Sequence, residues 1–144
     1  MIQEFGVKNF YSIKNEQTIS FVPTPDGTQA ENYLHEVKPG VNLLKIGIIY
    51  GSNASGKSNV LMALDFFHDM MLSSPQDKMS KIEGYAPFLL DDTSRNETCQ
   101  MHLVFWLDRE RYIHEIEFDA NRIYKESLFF YGSQRPTTLY DRTY

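Results

Sequence analysis

The chain has 144 residues, 42% hydrophobic and 23% charged, with a formal charge of −5, enough for one domain to bury a core without disulfides or metals. With this composition disorder is not the default reading, and the charge excludes a general attraction to nucleic acid or an anionic membrane, leaving room only for a local basic patch. Cys99 is the one cysteine, so a reducing, cytoplasmic setting is expected, and the lack of a leader-like start or an apolar run of about eighteen residues argues against secretion and membrane insertion.

Residues Ile2 to Asn9 and Gln17 to Val22 alternate apolar and polar in places, through Phe5, Val7, Ile19 and Phe21, and predict a hairpin turning near Ser12 to Glu16. Pro23 to Asn42 holds Pro23, Pro25, Asp26-Gly27 and Pro39-Gly40 with little periodicity and reads as a loop or insertion. Leu43 to Tyr50 is a short, β-branched, nearly continuous apolar run, the pattern of a strand buried in a parallel sheet. From Gly56 the period becomes helical, with Val60, Leu61, Leu64, Phe67, Met71 and Leu72 recurring until Ser73-Ser74-Pro75 stops it. Gln76 to Thr98 is mixed and polar apart from Tyr85 to Leu90. Gln100 to Leu107, Arg111 to Phe118 and Arg122 to Tyr131 predict an antiparallel meander, and Arg135 to Tyr144 offers no clear final strand. The expected fold is α/β, a central sheet with an antiparallel β subdomain from about Gln100. It divides into 1–72 (strands, loop and helix), 73–99 (connecting segment) and 100–131 (antiparallel arm).

Gly51-Ser52-Asn53-Ala54-Ser55-Gly56-Lys57-Ser58 matches G-x-x-x-x-G-K-[ST] at every fixed position. Its spacing explains its chemistry. Gly51 lets the chain leave a strand in a tight turn, and Gly56 lets backbone approach phosphate with no β-carbon in the way. Successive backbone N–H groups and the free amides of the following helix then form an anion cradle. Lys57 supplies a point charge to the β and γ phosphates of ATP, and the Ser58 hydroxyl ligates the Mg²⁺ between them. A strand pattern before the loop and a helix pattern after it supply the context that the motif requires.

Three pieces together resemble the ABC/SMC-type ATPases, in particular the RecF-like and OLD-like proteins of the AAA type. They are Asn9-Phe10-Tyr11-Ser12-Ile13 after the opening strand, the loop Gly51 to Ser58 with Asn53 and trailing Asn59, and Pro87-Phe88 followed by the β-rich run ending in Glu126-Ser127-Leu128. The resemblance covers nearly the whole chain and implies the N-terminal lobe of a P-loop NTPase, an incomplete ABC-type ATPase head. It implies ATP and Mg²⁺ as ligands, bound by Gly51, Ser52, Asn53, Ala54, Ser55, Gly56, Lys57, Ser58 and Asn59, with Lys57 as the catalytic side chain and Ser58 at the metal. It also implies a homodimer, or a partner that supplies a signature motif, and a setting in DNA maintenance or anti-phage defence, where nucleic acid is a candidate partner that the sequence does not show. No LSGGQ-like signature, Walker B strand with its glutamate or switch histidine is recognisable here, so binding is expected to exceed hydrolysis.

Two segments mimic a Walker B strand: Phe88-Leu89-Leu90-Asp91-Asp92, and Val104 to Asp108. The first is short and follows a proline, and Asp108 reads as a hairpin-turn residue. Were either acid at the metal, the chain would be a self-contained small P-loop phosphotransferase; a truncated, non-hydrolysing interaction module is the other alternative. His35, His68, His102 and His114 lack metal-ligand spacing. Asn32-Tyr33 or a neighbouring aromatic is a candidate for stacking the adenine ring.

Overall fold

A computed structural model describes residues 1–72, 81–133 and 135–144. The first hairpin forms as expected, β1 (Ile2–Lys8) against β2 (Gln17–Ser20). A single helical turn, α1 (Ala30–Tyr33), then leads into a second hairpin, β3 (Leu34–Lys38) and β4 (Val41–Leu44). This corrects the reading of Pro23 to Asn42 as a loop. The Pro39-Gly40 pair that suggested irregular chain is the hairpin's turn, with Gly40 at φ 78° and its amide donating to Glu36 Oε1 at 3.0 Å.

The long helix α2 (Lys57–Leu72) follows, then β5 (Cys99–Leu107), β6 (Glu110–Phe118), β7 (Ile123–Tyr131) and β8 (Thr137–Thr143). One six-stranded sheet in the order β2-β1-β5-β6-β7-β8 holds most of them, and every pairing in it is antiparallel. The fold is therefore mixed α/β with antiparallel sheets. β1 pairs directly with β5, so the meander continues the opening hairpin as one surface. The expected helix stop at Ser73-Ser74-Pro75 lies outside the described residues.

The strand expected over Leu43 to Tyr50 exists only at its start, where β4 ends at Leu44. Beyond it Ile46, Ile48, Ile49 and Tyr50 are exposed, at 66%, 83%, 43% and 90%. Burial of such a run needs strands on both edges and cover on both faces, and no described strand pairs with it. The opposite correction applies to the chain's last residues. Thr137 to Thr143 is an edge strand whose residues are all exposed, so it has no apolar alternation to announce it, and backbone pairing with β7 defines it.

α2 lies on one face of the sheet. In register, Phe5 pairs with Leu103, Val7 with Met101, and Cys99, Met101 and Leu103 with Phe118, Ile116 and His114; all of these are buried. The helix meets them with Val60, Ala63, Leu64, Phe66, Phe67 and Met70. Phe67 stands edge-on to Phe5 at 5.9 Å, and Phe66 stacks on Phe118 at 5.4 Å, contacts that add about 0.5–1.5 kcal/mol each to the area buried. This inner stripe is rotated from the periodic set read in the sequence. Leu61 and Leu72 are 59% and 71% exposed, because the aromatic sockets of the sheet select Phe66 and Phe67 as the buried pair. Burial also pushes the Cys99 thiol up to about 12, which leaves it a packed, unreactive side chain.

At the far edge of the same face, Tyr140 of β8 donates to Glu126 Oε1 at 2.8 Å, and His114 Nε2 lies 2.9 Å from that hydroxyl and 3.2 Å from the carboxylate. The hydrogen bond with His114, then that from Tyr140 and the charge of Arg142, outweigh burial and hold the Glu126 carboxyl at about 2, below its ordinary 4.5. A depressed carboxyl contributes stability that is complete above its unfolded value and is lost as pH falls through its folded value. Wild-type melting temperature is therefore expected to drop between about pH 4.5 and 2 by an increment that Glu126→Gln lacks; parallel melting curves across that window would refute the role given to Glu126.

Candidate functional site

The loop from Gly51 to Gly56 enters α2 at Lys57 and is exposed along most of its length. Two residues within it lie in the left-handed region, Ala54 at φ 61° and Gly56 at φ 90°. Gly56 is required by more than its dihedral angle. A β-carbon there would stand 3.0 Å from Ser12 Oγ, so the glycine admits the turn between β1 and β2 against the loop. In the first turn of the helix, Asn59 donates through Nδ2 to the same Ser12 hydroxyl at 2.6 Å. One serine on the opening hairpin thus braces the loop and the start of α2 together.

Lys57 folds back over the loop. Its ammonium donates to Gly51 O at 3.0 Å, Ser52 O at 2.6 Å and Ser55 Oγ at 3.4 Å. It is held at the mouth of the turn by backbone acceptors that an anion's oxygens can replace, with no carboxylate partner among the described residues. Ser58 follows in the first helical turn and is exposed. The first amides of an α-helix have no intrahelical acceptor and carry the positive end of its dipole. Gly51, Ser52, Asn53, Ala54, Ser55, Gly56, Lys57, Ser58 and Asn59 therefore form one continuous surface, with Asn59 turned toward Ser12.

Asp91 and Asp108, weighed in the sequence as metal ligands, both serve turns. Asp91 accepts from the amides of Thr93 and Ser94 at 2.8 and 2.9 Å and pairs with Lys14. The Lys14 hydrogen bond and the Ser94 amide hold its carboxyl well below the usual range. Among the described residues 81–90 no strand leads into it, and Leu90 is 86% exposed. Asp108 and Arg109, at φ 51° and 67°, form the two-residue turn between β5 and β6, the geometry that matches strand twist. Among the described residues no group of three or more His, Cys, Asp or Glu is placed to hold a metal ion.

Two residues that motif reading left without a role stand out. Ser12 is one. The other is Asn9, 1% exposed at φ 54°, whose Nδ2 donates to Ser94 O at 2.9 Å, Glu97 O at 3.0 Å and Thr98 O at 3.3 Å, while Oδ1 accepts from the Phe88 amide at 3.0 Å. It ties the end of β1 to the segment that leads into β5. Both lie in the Asn9-Phe10-Tyr11-Ser12-Ile13 stretch, where the signal was visible as a pattern without a physical reason.

The model of a family described as "AAA domain, putative AbiEii toxin, Type IV TA system" matches residues 48–144, about two thirds of the chain. The chain belongs to this AAA family. The match begins inside the exposed Ile46 to Tyr50 run and takes in the loop, α2 and β5 to β8 of the AAA domain. Ser12 and Asn9, which brace the loop and the sheet, lie before it. Membership makes the function of the AAA domain nucleotide-binding and ATPase-like, of the kind that generally uses ATP and Mg²⁺. No curated protein matches the chain. Among the described residues no helix is long and apolar enough to cross a membrane.

Proposed function

We propose that Gly51 to Ser58 is a Walker A loop that binds the phosphates of ATP with Mg²⁺, as one half of an ABC/SMC-type ATPase site. The observation that carries this reading is the placement of the Lys57 ammonium on Gly51 O and Ser52 O at the mouth of a left-handed turn. Gly56, packed without a β-carbon against Ser12 Oγ, and an exposed Ser58 hydroxyl accompany it. These groups fit a polyphosphate and its metal. Backbone amides and the helix start receive phosphate oxygens, Lys57 exchanges its carbonyl partners for them, and Ser58 offers one hard oxygen to the cation. Bound Mg²⁺ would offset charge on the β and γ phosphates.

The exposed Ile46, Ile48, Ile49 and Tyr50 support the further reading that strands from more chain or another subunit complete the site, a homodimer being the simplest form. DNA maintenance or anti-phage defence is the setting that the ABC/SMC resemblance implies, and the single cysteine, Cys99, supports a cytoplasmic protein.

Titration of the purified chain with Mg²⁺ and a fluorescent ATP analogue tests the assignment. Saturable binding with little phosphate release is expected, and Ser58→Ala should remove most of its Mg²⁺ dependence. A folded wild-type chain that shows no saturable binding overturns the reading.

A further inference from the structure

On the face of the sheet away from α2, Trp106 of β5, Arg111 of β6 and Tyr131 of β7 stand in one cross-strand row, paired Trp106 to Arg111 and Arg111 to Tyr131. The neighbouring row, Phe105, Tyr112 and Phe130, points to the helix side, Phe105 stacked on Tyr112 at 5.2 Å and Tyr112 tilted against Phe130 at 5.3 Å, which fixes the direction of the first. The row spans two strand spacings, roughly 10 Å. Its members are ordered: the Arg111 guanidinium lies 4.2 Å from the centre of the Tyr131 ring, and the Trp106 indole donates to Gln3 Oε1 at 2.7 Å. The β3–β4 hairpin faces it with Lys38 and Asn42, and the groove between them measures about 770 Å³. No residue of the 51–59 loop lines it.

The charge of this groove is unlike that of the chain. Neither Lys38 nor Arg111 has a carboxylate in ion-pair range among the described residues, and Glu36 on the same hairpin is turned onto the Gly40 amide. Two unpaired cations beside an indole and a guanidinium stacked on a phenol call for a ligand with both a flat π-face and negative charge. Aromatic rings and arginine planes on a sheet stack bases, and lysine beside them holds the backbone phosphate.

We propose that the Trp106–Arg111–Tyr131 row with Lys38 binds a nucleotide unit, its base on the row and its phosphate toward the hairpin, independently of the phosphate loop. A free nucleotide and a single nucleic-acid strand present the same chemistry, and the test separates them.

Trp106 is the only tryptophan, so its emission reports directly. The chain is titrated with oligothymidylate of about twelve nucleotides, within the footprint of a stacking surface, and separately with thymidine monophosphate. Saturable quenching is expected that weakens with salt, survives Lys57→Ala, and loses about tenfold in affinity in Arg111→Ala and Lys38→Glu. Lys38 is exposed on its hairpin, so that variant reads the site even if Arg111→Ala fails to fold. Tighter binding of the oligomer identifies a strand, and equal binding per nucleotide identifies a free nucleotide; both support the platform. Absence of quenching by either probe, quenching lost in Lys57→Ala, or affinity unchanged in Lys38→Glu overturns it.

Discussion

Replacement of Asn9 by alanine is expected to cost about 3–5 kcal/mol, a large part of the roughly 5–15 kcal/mol that holds a domain of this kind together. The substitution removes the donor for the carbonyls of Ser94, Glu97 and Thr98 and the acceptor for the Phe88 amide. Asn9 is sealed from solvent, so water does not readily replace either function, and stranded backbone groups cost more than the bonds were worth. Alanine also tolerates φ 54° less well than asparagine. Asn9→Gly separates the two terms, since glycine relieves the dihedral angle while still removing the side-chain bonds to all four groups, of which the Ser94 carbonyl alone keeps another donor, the Glu97 amide at 3.3 Å. Urea midpoints should fall for both variants, further for alanine. A shift below about 1 kcal/mol in Asn9→Ala would show that the carbonyls find other donors.

Lys57→Ala should have the largest effect on ligand affinity and almost none on the fold. Among the described residues the ammonium donates only to Gly51 O, Ser52 O and Ser55 Oγ, all on an exposed loop, so water takes over the carbonyls when it is removed. Unfolding midpoints should move by less than about 0.5 kcal/mol, the ordinary range for a surface change. Against a polyphosphate the same ammonium makes charge-assisted bonds worth about 1.5–3 kcal/mol each, so affinity for Mg²⁺ and a fluorescent ATP analogue should fall by about a hundredfold or more. Circular dichroism and equilibrium titration on the same preparation read both halves. An alanine variant that binds ATP normally would end the assignment of this loop.

Local signals were legible wherever a residue's own chemistry decides its conformation. Gly56 and Lys57 in fixed spacing, the alternation of Phe5 and Val7, and the Asp108-Arg109 turn each state their local structure in a few letters. Pairings between distant segments were less legible. Nothing near Val7 announces Met101 as its neighbour, and a hairpin around Pro39-Gly40 was hidden by residues equally at home in a loop. Leu61 and Phe67 look alike as helical apolar positions. Only the socket formed by Phe5 and its sheet neighbours distinguishes the buried one. At the candidate site the loop residues were readable and their brace was not, because the contacts of Ser12 with Gly56 and Asn59 cross more than forty positions. Likewise β8 depends on backbone pairing and a polar cluster at its edge, features without an apolar rhythm.

The bare run from Ile46 to Tyr50 also bears on how the protein fares in a crowded cell. Exposed β-branched residues outside any strand are the kind of stretch that chaperones grip and that seeds aggregates when nothing covers it. This one leads directly into the loop, so whatever shields it also stiffens the approach to Gly51. Production of the chain at high concentration should favour inclusion bodies, and a lysine at Ile48, 83% exposed, should act as a gatekeeper that restores yield. Proteostasis and ligand capture would then depend on the same few residues, and selection for one would constrain the other.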